Sequence, residues 1–122
     1  REMTVKSGQK CTAIRRAFVP RALYDAAAEA IGAKLAKTTV GNPRNEAVRM
    51  GALVSRAQFN SVREGLAQLL SEATPLYDGR TQALVDADAA VAACAQPVLL
   101  GTTDPVAARV LHEVEVFGPV AT

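Results

Sequence analysis

A chain of 122 residues suits one domain, and its 49% of hydrophobic residues can fill a core, which Ala, Val and Leu must build because aromatics are only 4%. Net charge is +2, from 14 basic and 12 acidic residues spread along the chain, which gives no case for nucleic acid or an anionic membrane as partner. No signal peptide and no run of ~18 apolar residues appears. Two cysteines, Cys11 and Cys94, far apart and without a secretory segment, read as free thiols of a reducing compartment.

Residues 1–6 read as the end of a helix that Gly8 terminates. A short polar turn carries Cys11 next to Lys10, and residues 15–19 read as a strand that Pro20 ends. From 21 to 37 the pattern is helical, with Leu23, Ala27, Ile31 and Leu35 on one i,i+4 row. Val40-Gly41-Asn42-Pro43 is a turn signal, and its loop runs on to Met50-Gly51-Ala52-Leu53. Ser55 caps a second helix, with Gln58 as capping-box partner. Phe59, Val62, Leu66, Leu69, Leu70 and Ala73 form its apolar face, and Gly65 in its middle marks close packing. Pro75-Leu76-Tyr77 reads as a short strand. Residues 80–96 combine helix-favouring alanines with few large apolar side chains and fit neither template. Residues 97–101 read as a buried strand. Asp104 then caps a third helix, with Pro105 at its first position and Val106, Val110, Leu111 and Val114 inward. Glu115-Val116-Phe117-Gly118-Pro119-Val120 begins a further strand. Strands alternating with helices predict an α/β fold, a three-layer α/β/α sandwich with a mostly parallel sheet. The first residue is not Met and the last lie within an apolar run, the pattern of a piece of a longer enzyme.

The chemistry concentrates at Cys11. A thiol in a turn before a strand, beside a cation that favours the thiolate and after a glycine that eases the backbone, suits a nucleophile. On spacing alone, a lone Cys is more commonly a small buried filler. His112, the only histidine, lies outside the apolar face of its helix and reads as a surface residue. Cys94 in its Ala-rich stretch reads as inert. No Cys or His pair has metal-ligand spacing, and no glycine-rich phosphate loop is present, so no metal is expected.

Three segments, taken in order, carry a resemblance: Gly8-Gln9-Lys10-Cys11 with Arg16 beyond it; Val40-Gly41-Asn42-Pro43 with Met50-Gly51-Ala52-Leu53; and Glu115-Val116-Phe117-Gly118-Pro119-Val120. Together they resemble the catalytic domain of the NAD(P)-dependent aldehyde dehydrogenases over nearly all of residues 1–122. The resemblance implies that Cys11 is the catalytic nucleophile. It also implies that its backbone N–H helps bind the oxyanion, that Glu115 holds the nicotinamide ribose, and that Phe117 packs beside the nicotinamide end. Arg16 matches the family's arginine after the nucleophile and is assigned a structural role. NADP or NAD is the implied cofactor, bound by the whole enzyme and not by these residues alone. The dinucleotide-binding domain, the water-activating glutamate and the asparagine of the oxyanion hole are expected outside this chain. Gly-Gln-Lys-Cys-Thr-Ala-Ile-Arg-Arg and Val-Arg-Met-Gly-Ala-Leu-Val-Ser look most like the phenylacetate-degradation branch, whose members fuse the dehydrogenase to an enoyl-CoA hydratase-like half. The dehydrogenase of the benzoyl-CoA pathway is a near neighbour. The implied substrate is a small-molecule aldehyde, CoA-linked in that branch, and the implied enzyme is a cytoplasmic homo-oligomer. A CoA-acylating dehydrogenase and a non-catalytic assembly module with the same fold are the alternatives.

Overall fold

The computed structural model describes all residues, 1–122. Three helices and three strands form in the order α1 (Tyr24–Leu35), α2 (Arg56–Leu69), β1 (Thr74–Asp78), β2 (Val98–Gly101), α3 (Val110–Glu113) and β3 (Val120–Ala121). The sheet order is β1-β2-β3. β2 is buried along its whole length, as an apolar run between two neighbours must be. Its alternate residues serve opposite faces. Val98 and Leu100, with Val120, join Val62, Leu66 and Leu69 of α2 and Leu111 of α3 in the main core. Leu99 and Ala121 face the other way, onto Leu35, Met3 and Ile31. Helices therefore cover both faces of the sheet, which makes the α/β/α layering.

The sheet is mixed. β2 and β3 pair in parallel, Val98 opposite Val120, joined by the crossover that contains α3. β1 and β2 pair antiparallel, because the irregular segment between them supplies no helical crossover. Two isolated bridges, Val40 with Met50 and Gly41 with Val85, are parallel. Pro75 sits in the edge strand β1, where its missing N–H costs no central ladder bond, and the register shifts between Pro75 and Tyr77.

α2 follows from its sequence. Ser55 takes extended backbone and its hydroxyl accepts the Gln58 N–H at 3.1 Å. The reciprocal half of the capping box does not form, because the Gln58 side chain donates to Phe117 O at 2.8 Å instead. Gly65 does mark close packing: a Cβ there would lie 2.8 Å from a Val116 methyl.

Three expectations are corrected. Residues 15–19 form no assigned strand. They run alongside β3 with two bonds, Ala17 N–H to Thr122 O and Thr122 N–H to Arg15 O, the pattern of a single parallel bridge. The third helix shrinks to the four residues of α3. Asp104 does accept the Ala107 N–H at 3.1 Å, but only a turn follows, and Val106 is 92% exposed rather than inward. The N-terminal stretch is not a right-handed helix end. Lys6, Ser7 and Gly8 all have positive φ, an uncommon conformation for the first two that the surrounding contacts must hold.

Candidate active site

The left-handed turn at Lys6, Ser7 and Gly8 brings the Cys11 loop against the two other singled-out segments. The buried Ser7 hydroxyl donates to Gly51 O at 2.9 Å, and the Gln9 side-chain carbonyl accepts the Val54 N–H at 2.9 Å. Gly8, at φ +72°, lies so close to Gly118 that a Cβ would come within 2.2 Å of Gly118 O. Only glycine satisfies both the backbone angle and the contact.

Arg15 closes the arrangement. One terminal nitrogen donates to Gly8 O at 2.6 Å and the other to Gly118 O at 2.7 Å. Its Nε lies 3.8 Å from a Glu115 carboxylate oxygen, and the guanidinium stands 5.4 Å from the centre of the Phe117 ring. Burial pulls this guanidinium below its ordinary pKa, and the Glu115 charge opposes that pull. Arg15 was not singled out in the sequence; Arg16 was. Arg16 donates to Leu111 O at 3.2 Å and His112 O at 3.1 Å, fastening the end of α3. Two adjacent arginines thus point to different neighbours, which no one-dimensional signal separates.

Cys11 is exposed, so it is not a buried filler. Its N–H donates to no acceptor within the chain. Lys10, expected to serve the thiol, is paired with Glu2 at 3.3 Å. Cys94 is buried, and burial raises its thiol pKa, which suits an inert role. His112 is exposed, with Nε2 2.7 Å from Pro105 O. Glu115 is two-thirds exposed and accepts no hydrogen bond from the chain; its charged neighbour is Arg15, at 3.8 Å from one oxygen. Phe117 presents part of its ring to solvent while its carbonyl is held by Gln58.

A concavity of about 720 Å³ lies elsewhere, lined among others by Phe18, Tyr24, Ile31 and Leu99. None of Cys11, Glu115 and Phe117 lines it, and its lining mixes apolar side chains with Arg16, Arg21, Asp25 and His112.

Known proteins decide the family. The family model described as aldehyde dehydrogenase family matches residues 1–122. The chain belongs to the aldehyde dehydrogenase family. It is 55% identical over 123 aligned residues to a 3,4-dehydroadipyl-CoA semialdehyde dehydrogenase of Aromatoleum evansii, covering 100% of this chain and 24% of that protein. It is 35% identical to a 1-pyrroline-5-carboxylate dehydrogenase of Oceanobacillus iheyensis, covering 93% of this chain and 21% of that one. The aldehyde dehydrogenase chain therefore spans about a quarter of the length of these curated relatives. Among solved structures, it superposes on a Staphylococcus aureus betaine aldehyde dehydrogenase in complex with NAD+ at a TM-score of 0.81, with 24% identity over 99% of this chain and 24% of that one. A Bacillus cereus aldehyde dehydrogenase gives a TM-score of 0.74 at 27% identity, over 94% of this chain and 22% of that one. No helix is long and apolar enough to cross a membrane.

Proposed function

We propose that this chain is the part of an NAD(P)-dependent aldehyde dehydrogenase that carries its nucleophile and its nicotinamide-side residues. The observation that supports this best is the meeting of the Cys11 loop and the 115–120 turn on Arg15, with an exposed thiol on one side and an exposed carboxylate on the other.

In this reading the Cys11 thiolate adds to the aldehyde carbon, and the carbonyl π pair moves onto oxygen. The Cys11 N–H, which has no acceptor within the chain, donates to that oxyanion. As the oxyanion collapses, hydride leaves the carbon and a thioester on Cys11 remains. The cofactor, when bound, supplies the two-electron acceptor for that hydride. Water then cleaves the thioester, releasing the carboxylic acid and the Cys11 thiol. Glu115 would hold the cofactor: an exposed carboxylate has two acceptor oxygens, matching the two adjacent hydroxyls of a ribose. Phe117 offers an apolar face for the nicotinamide end.

The substrate proposed is a semialdehyde bearing a CoA thioester, from aromatic-compound degradation including the phenylacetate route. Its support is the 55% identity to the A. evansii protein, whose name describes a CoA-linked semialdehyde. The full-length enzyme is proposed to be a cytoplasmic homo-oligomer using NADP or NAD. These 122 residues alone are expected to oxidise nothing: they span about a quarter of their relatives, and the dinucleotide-binding domain is proposed to lie outside them.

The test is a product assay on the full-length enzyme with a CoA-linked semialdehyde and either cofactor, followed by mass spectrometry. Free acid, formed by wild type and abolished by Cys11→Ser, is the expected result. Acyl transfer to added CoA would favour the CoA-acylating alternative. No turnover, with an unreactive Cys11, would favour the assembly module.

A further inference from the structure

We propose that Arg15 is a positioning residue that sets the distance between the Cys11 nucleophile and the turn holding the nicotinamide, a role that rests on the functional reading above. The nucleophile and the cofactor residues lie at opposite ends of the sequence. Arg15 Nη1 and its acceptor, Gly118 O, are separated by 103 positions. A single guanidinium spans the gap, one nitrogen on Gly8 O and the other on Gly118 O. The remaining nitrogen, Nε, is buried and has no hydrogen-bond acceptor within the chain, and it faces Glu115 at 3.8 Å. The Arg15 side chain is only 16% exposed, so this is not a solvated surface pair. The planar fork serves two carbonyls at once; an ammonium is a point charge on one nitrogen and cannot keep both distances. Gly8 and Gly118 meet without side chains, so no packed Cβ would hold the spacing if the fork were removed. Gly8 lies three residues before Cys11, and Phe117 directly precedes Gly118. Arg15 touches no reacting atom in this arrangement. It acts through the two backbones it joins.

A residue that sets this spacing affects hydride transfer more than thiol chemistry. The experiment uses the full-length enzyme with Arg15→Lys and Arg15→Gln. It measures the single-turnover rate of cofactor reduction, the isotope effect with aldehyde-deuterated substrate, and the rate of Cys11 alkylation by iodoacetamide. Displacing reacting groups by about 1 Å costs on the order of 100-fold, so hydride transfer should slow by ~10- to 100-fold in both variants. The isotope effect should rise, and Cys11 alkylation should change far less. An unchanged hydride-transfer rate overturns the proposal. So does alkylation that falls in parallel with hydride transfer, which is the mark of a merely structural role. Should both variants fail to fold, a crystal structure of the wild-type full-length enzyme decides. Arg15 nitrogens more than roughly 3.5 Å from either carbonyl would overturn the proposal, and retained bonds would support it. Failure of the functional reading looks different: wild type would show no aldehyde-dependent cofactor reduction, or Cys11→Ser would retain it.

Discussion

Gly8→Ala should be among the most damaging single-methyl additions in this chain. The added Cβ would stand 2.2 Å from Gly118 O, 2.3 Å from Gly118 C and 2.7 Å from Pro119 N, all backbone atoms that cannot rotate away. Gly8 also sits at φ +72°, where an L side chain pays about 1–2 kcal/mol. Separating the two backbones adds about 1–3 kcal/mol of overpacking. The sum, ~2–5 kcal/mol, is a large share of a stability of ~5–15 kcal/mol. At roughly 4 °C per kcal/mol for a domain of this size, Tm should fall by roughly 8–20 °C. Gly32→Ala is the matched control. Gly32 lies inside α1, where the nearest atom to a new Cβ is a Tyr77 carbon at 3.7 Å, so the same methyl should stabilise by about 0.5–1 kcal/mol. Thermal and urea unfolding followed by circular dichroism measure both. A Gly8→Ala variant within about 0.5 kcal/mol of wild type, the usual scatter of neutral surface changes, would refute the close approach of the Cys11 loop to the 115–120 turn.

Three further outcomes follow from the same geometry. In the folded chain near pH 8, iodoacetamide should label exposed Cys11 at least about tenfold faster than buried Cys94, whose thiol pKa burial raises; equal labelling by mass spectrometry would contradict the placement of the two thiols. Ser55→Ala should cost about 1 kcal/mol by removing the acceptor of the Gln58 N–H, read in a urea titration, and no loss would mean the cap is not formed. The hydrogen bond from the Arg80 side chain is the main cause of Asp78's lowered pKa. A lowered folded pKa stabilises above the ordinary carboxylate pKa of about 4 and is lost as pH falls through the folded value. Arg80→Met should therefore cost at most ~1 kcal/mol at neutral pH, and the difference from wild type should vanish towards pH 2; a difference that grows on acidification would refute the pairing.

What the sequence alone determined was local in origin. The α2 periodicity, the Ser55 cap and the apolar run of β2 each depend on side chains within a few positions, and each appears as read, with α2 ending earlier. The three motif segments were legible because residue type and order are one-dimensional, and the family followed from them. The tertiary structure decided what depends on distant partners. Residues 15–19 had the composition of a strand, but their only ladder partner is Thr122, so two bonds form rather than a run. The third helix had its cap and its proline, yet Val106 meets no core and the helix contracts to α3. Lys10 stood beside Cys11 in sequence and pairs with Glu2 in space, because a long flexible ammonium takes whichever carboxylate the fold brings near. Arg15 gave no local signal: its acceptors are two backbone carbonyls, and every residue carries one. Only the fold, by pressing Gly8 against Gly118, made that pair of carbonyls the right distance apart for one guanidinium.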